Sequence, residues 1–246
     1  MRRTGQMETD RTIIQIPVVV HVLYRTAEEN ITVAQIQSQI DVLNADFTAS
    51  NPDRLFVPPA FRTLVGNPSI QFVMANQAPS GVSTTGITRK YTSRTSWGKT
   101  NDVKTASLGG IDPWNTSNYL NIWICNIGSG LLGFDQFPGG NPYTDGLVID
   151  YRAFGTNGIV RAPFDKGRTA THEVAHWLNL RHIWGDQYCG SDLVNDTPCH
   201  NDANYGCPSS PHMSSCNSLQ EEMTMNFWII QTISACTCSL QSKVYG

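Results

Sequence analysis

The chain has 246 residues, enough for one large domain or two small ones. Its net charge is −3 and it carries no basic run, which argues against a nucleic-acid partner. No stretch reaches the apolar length of a membrane span, and Met1–Asp10 is polar, without the apolar core of a secretory signal.

Ile13–Tyr24 is rich in β-branched residues and predicts a buried strand. His21 inside it is read as a satisfied core or rim histidine, not a ligand. Thr32 can cap a helix whose apolar positions Val33, Ile36, Ile40 and Leu43 recur at helical spacing and which ends near Asn44–Phe47. A Pro-rich connection follows, then expected strands at Ile70–Ala75 and Gly86–Thr92. Strand, long helix and strand suggest a βαβ-type start, with loops too irregular for a repeating α/β fold. Leu120–Cys125 predicts another strand. Gly128–Gly133 is either a loop or an edge strand that accepts an extended peptide. A phosphate loop is set aside there, because the segment lacks the Lys and Ser/Thr and opens no helix. Gly146–Tyr151 predicts a short strand, and Gly167–Leu180 a helix with Thr169 or Thr171 near its start. No repeat or linker divides the chain, so residues 1–246 are expected to form one two-lobed unit.

The last helix carries the chemistry. It reads H-E-V-A-H-W-L-N-L-R-H from His172 to His182. His172 and His176 are one turn apart and project from the same face, within reach of one Zn²⁺ ion, with Glu173 beside them. His182 lies six residues beyond His176, too far for a straight helix to aim it at the same ion. The chain must therefore turn, and the turn should fall at Asn179, since Asn tolerates positive φ next best to Gly. Three imidazoles leave a fourth position for water, the open coordination of a catalytic zinc. A surface helix with stacked histidines is the bland alternative. The H-E-x-x-H pattern alone arises by chance roughly once in a few hundred such chains, and a third His at this distance makes it far rarer. The seven cysteines begin at Cys125, and all others follow His182, which suggests disulfides and an exported protein.

H-E-x-x-H-x-x-N-x-x-H followed by I-W-G-D resembles the metzincin zinc peptidases, and within them the pappalysin family. I-P-V-V-V-H-V-L-Y, I-Q-S-Q-I-D-V-L-N, L-N-I-W-I-C-N, L-L-G-F-D-Q-F-P, D-G-L-V-I-D-Y and D-T-P also match that family's pattern, over roughly Thr12–Phe227. The resemblance implies an α+β fold. Its upper lobe (about 12–179) has a twisted sheet, a backing helix and the active-site helix; its lower lobe (about 180–227) is irregular. It also implies a zinc endopeptidase acting on protein or peptide substrates; with the cysteines, charge and hydropathy above, the expectation is a secreted monomer with no nucleic-acid or membrane partner. His172, His176 and His182 would bind zinc, Glu173 would be the general base, and Leu131, Leu132 and Gly133 would hold the substrate backbone. Asp192, Asp196 and Thr197 resemble the family's calcium loop, with an ion-free Asx turn as the competing reading. Cys189 and Cys216 match one family disulfide, and Cys207 half of another whose partner should lie near Cys236. Cys125 and Cys199 have no assigned partner. Asp186 is read as a solvated or structural carboxylate in preference to a partner of the metal site.

After M-T-M-N-F the family continues with its Met-turn, M-D-Y, and an apolar helix, whereas this chain continues W-I-I-Q-T-I-S-A-C-T-C-S. One permitted set of codons for that run, with a single A restored before TGG, reads M-D-Y-T-D-D-Q-C-M-Y-M-F. Trp228–Gly246 is therefore expected to be a frameshifted tail. The apolar floor beneath the zinc would then be lost, leaving Met223 and Met225 as the nearest methionines. Turnover would be impaired, which gives weight to a second reading: a catalytically inactive zinc- or peptide-binding domain. A zinc aminopeptidase is the third, and no site for a substrate's free amine is evident.

Overall fold

β1 (Ile14–Tyr24) forms where the β-branched run predicts it and is the hub of the sheet. The structure is a computed structural model that describes residues 12–195, 197–204, 210–216 and 220–224. β1 pairs in parallel with β2 (Ile70–Met74) along its first half and with β3 (Ile87–Tyr91) along its second. Its other edge pairs with β4 (Leu120–Cys125), also in parallel. The short β5 (Gly133–Phe134) ends the sheet, antiparallel to β6 (Leu147–Asp150), which is parallel to β4.

α1 (Val33–Phe47) begins as predicted, with the Thr32 side chain accepting from Gln35 N–H. Ile36, Ile40, Leu43 and Phe47 recur on one face and pack on Val18, Val20, Val22, Ile122 and Ile124 of the sheet. Each such side chain contributes roughly 1.5–3 kcal/mol by leaving water. The strand residues between them point the other way, so Leu23, Trp123, Cys125 and Val148 build a second core with Trp97 and Val103. Both faces are covered, which is why these strands read as continuous apolar runs. His21 lies on that second face with no exposed surface, its ring nitrogens paired with Thr88 Oγ1 (2.7 Å) and Asn121 Oδ1 (3.0 Å). The core reading of this histidine holds.

α2 (Arg168–Trp177) lies under the sheet on the α1 side, burying Ala170 and Val174 in the first core. Past α2 the described residues form no further helix or named strand, only an isolated bridge between Met213 and Glu221. A disulfide joins Cys189 to Cys216, closing 27 residues of that irregular region. The architecture is α+β, with regular structure above α2 and loops below it.

Candidate active site

α2 starts where the sequence places it but is shorter than predicted. It ends at Trp177 instead of Leu180, and its N-cap is Gly167, with φ +69 and no side-chain capping bond. Thr169 is the second residue of the helix and Thr171 the fourth, near its start as expected. Thr169 is wholly buried, and Thr171 donates to Asp46 Oδ2 (2.7 Å). Gly suits the cap because its φ is left-handed, and a Cβ there would stand 3.1 Å from the Gln39 amide. Gln39 in turn donates to Gly167 C=O (2.9 Å), and Arg168 pairs with Asp46 and Asp53. The first turn of α2 is thus keyed to the middle and end of α1 by buried polar bonds, which cost more to break than surface ones.

The end of α2 follows the sequence reading. Asn179 has φ +74. Its N–H bonds His176 C=O (2.8 Å), while Leu180 N–H bonds Ala175 C=O (2.9 Å). This is the Schellman arrangement, and the left-handed residue in it reverses the chain. The reversal brings His182 back to the helix face that carries His172 and His176. The three Nε2 atoms stand 3.0, 3.0 and 3.4 Å apart. A tetrahedral zinc with bonds of about 2.05 Å sets its nitrogens about 3.3 Å apart, so the donor set fits the ion.

The distal nitrogens strengthen that fit. His176 Nδ1 lies 2.6 Å from Leu180 C=O, and His182 Nδ1 lies 2.5 Å from Asp186 Oδ1. With the protons held there, both Nε2 lone pairs face the shared centre. Burial also holds His182 below the usual imidazole range, against the pull of Asp186, so the ring stays neutral. Trp184 stacks on it, centroids 4.4 Å apart and planes 9° from parallel. The Asp186 reading is therefore corrected: the carboxylate is exposed, yet it orients the third histidine. The positive φ at Asp186 and Gly185 folds the loop back to make that contact, a fold that residue type alone did not reveal.

Glu173 is buried under β5. Burial, and the Asp135 carboxyl beside it, push its pKa up to about 8. Burial raises Asp135 as well, and its Oδ2 is enclosed with no protein donor. Gly133 makes the approach possible: a Cβ there would lie 3.0 Å from Glu173 Oε1 and 2.9 Å from Ile149 Cδ1. The Gly-rich segment is a loop for most of its length and enters an edge strand at its last residue. Leu131 N–H closes a turn onto Gly128 C=O (3.2 Å), and the edge strand begins at Gly133. Asp150 N–H reaches Leu132 C=O (2.8 Å), which makes Gly133 and Ile149 a non-hydrogen-bonded pair. Gly133 therefore turns its own N–H and C=O toward the open edge, while Leu132 C=O is spent within the sheet. Asp135 escaped the sequence reading, although it is two residues past Gly133 and so on the same face of an extended chain.

Asp192 and Thr197 do meet, but in an Asx-type turn. Asp192 accepts from Val194 N–H (3.0 Å) and Thr197 Oγ1 (2.6 Å). Asp196 lies outside the described residues, as do Met225, Cys207, Cys236, Cys238 and the whole of Trp228–Gly246. Cys189 and Cys216 are bonded, and Cys125 and Cys199 are free thiols.

A family model described as pregnancy-associated plasma protein-A, a peptidase family, matches residues 110–232. Mature mirolysin of Tannerella forsythia, solved in complex with a cleaved peptide, is similar at 48% identity and a TM-score of 0.87, covering 90% of this chain and 85% of that one. A promirolysin mutant from the same organism is also 48% identical, with a TM-score of 0.88 over 92% of this chain and 76% of its own. An extracellular metalloprotease of Arthroderma otae is 29% identical over 203 residues, 80% of this chain and 63% of that protein. The chain thus spans about 63% of the length of that curated relative.

Proposed function

The chain belongs to the pregnancy-associated plasma protein-A family of metallopeptidases, and on that premise we propose that it is a zinc-dependent endopeptidase. The observation that carries the reading is the meeting of three Nε2 atoms at 3.0–3.4 Å with two distal nitrogens already paired. Uncompensated, lone pairs so placed repel; a cation among them turns that repulsion into binding. His172, His176 and His182 would hold Zn²⁺, which supplies Lewis acidity to the scissile carbonyl and the attacking water. Glu173 takes the water's proton and passes it to the departing amine. Its burial favours the protonated form it must reach midway, and the cation's charge opposes this. The open edge at Gly133 offers an N–H and a C=O to an extended substrate, and the cleaved peptide bound by mirolysin supports a substrate of that kind.

Residues 1–246 are read as one catalytic unit, secreted and monomeric. The names of the fungal relatives support secretion, and among the described residues no helix is long and apolar enough to cross a membrane. Calcium at Asp192, Asp196 and Thr197 stays a subsidiary proposal, since the turn closes by its own hydrogen bonds. The shifted-frame reading of Trp228–Gly246 has its own test: gene codons incompatible with M-D-Y-T-D-D-Q-C-M-Y-M-F one frame away end it.

The function is tested by cleavage of an unfolded protein substrate. Cleavage that 1,10-phenanthroline blocks and Glu173→Ala abolishes, with zinc still bound, supports the enzyme. Stoichiometric zinc without cleavage, in this chain and in one with the frame restored, favours the inactive binding domain. No zinc uptake overturns both.

A further inference from the structure

Phe137 is a large apolar residue left 42% exposed beside the histidine cluster, its ring centroid 5.3 Å from that of His176. Exposed aromatics are common singly, but this one is built into place. Gln136, just before it, donates to Asn141 C=O (2.9 Å) and accepts from Thr144 Oγ1 (2.5 Å), closing the 136–144 turn on itself. Trp177 at the end of α2 is pinned by its indole N–H to Asp145 (2.9 Å). The hollow of about 380 Å³ between that turn and the end of α2 is walled by Gln136, Pro138 and Trp177, whereas the Phe137 ring stands outside it, beside His176. We infer that Phe137 is a specificity-determining residue. It receives an apolar, preferably aromatic, substrate side chain on the amino-terminal side of the scissile bond.

The side of the bond follows from chain direction, and rests on the peptidase reading above. Gly133 packs on Glu173, and Phe137 packs on His176, nearly one turn further along α2. The segment 133–137 therefore runs the same way as α2. A peptide adding antiparallel to the open edge of β5, with its scissile carbonyl at the histidines, lays its preceding residues along Asp135–Pro138. An aromatic ring there meets the exposed ring of Phe137, where offset or edge-to-face packing is favourable.

The test uses the zinc-loaded full chain and two hydroxamate series, with affinity read by calorimetry. In one series the hydroxamate replaces the carboxyl end of a short peptide, so the ligand fills only the half before the bond. In the other it heads the peptide, so the ligand fills only the half after. In the first series, replacing Ser by Phe should tighten binding about tenfold, and Phe137→Ser should reduce that gain to about twofold or less. The second series and the zinc content should not change. Three results overturn the inference: no aromatic preference in the first series, equal losses in both, or zinc lost from Phe137→Ser, which would make the ring a mere prop for His176. Failure of both series to bind the parent chain would instead overturn the peptidase reading, and this inference with it.

Discussion

Asp186 Oδ1 lies 2.5 Å from Nδ1 of His182, four residues upstream. The carboxylate is largely exposed, yet it fixes which nitrogen of the third histidine carries the proton. Partners of this kind typically change metal affinity by about 10–100-fold when removed. Asp186→Ala should weaken zinc binding by that much in competition with a chromophoric chelator, with little change in thermal midpoint. An unaltered zinc affinity would return Asp186 to the role of a solvated loop residue.

Asp135 should set where activity fails in acid. Burial is the larger cause of the high Glu173 pKa, and the neighbouring carboxyl adds to it. Asp135→Asn removes a negative neighbour, so ionised Glu173 becomes easier to reach and its pKa falls. The acid limb of kcat/KM against pH should then move to lower pH. A limb that stays put, or moves up, would show that the two groups are not electrically linked.

Gly133→Ala tests the closeness of β5 to the general base. The added methyl would press on Glu173 Oε1 and on Ile149 Cδ1 at or under 3.0 Å. Overpacking of this kind costs about 1–3 kcal/mol, so urea unfolding should report a moderate loss. Hydrolysis should suffer more than stability, because Glu173 is one of the two groups displaced, and zinc content should be retained. Full activity in the variant would mean the carboxylate tolerates the shift.

At Asn179 the backbone itself is the object. Its φ of +74 costs a β-branched residue about 1–2 kcal/mol, and Gly nothing sterically. Asn179→Gly should leave zinc affinity intact, whereas Asn179→Val should lower both stability and affinity by misdirecting His182. Equal behaviour of the two variants in a zinc titration would refute the hinge.

Acid should destabilise the fold through His21. Burial lowers its pKa to about 4 from 6.5. The folded state therefore refuses a proton that the unfolded state accepts, so stability falls as pH drops from about 6.5 toward 4 and is regained as pH rises. The full effect is on the order of 3 kcal/mol. His200, also lowered to about 4 chiefly by burial, acts in the same direction. Urea midpoints followed from pH 7 to pH 4.5 should show the decline, and His21→Gln should flatten part of it. A slope identical to the parent's would remove His21 from the account.

The sequence by itself determined whatever depends on near neighbours along the chain. The β-branched run gave β1, Thr32 gave the cap of α1, and the four-residue spacing of His172 and His176 gave a shared helical face. Asn179 gave the reversal, since few other residue types accept its φ. These are local properties, set by backbone sterics and side-chain periodicity. The tertiary structure alone decided which distant groups meet. Gly133 and Asp135 reach Glu173 because β6 holds β5 against α2, Gln39 and Asp46 of α1 fix the first turn of α2, and Phe137 stands beside His176 because the 136–144 turn closes there. Spacing could not reveal such contacts, for each joins segments far apart in the chain, by 128 residues for Gln39 and Gly167, whose approach is set by the packing of both cores.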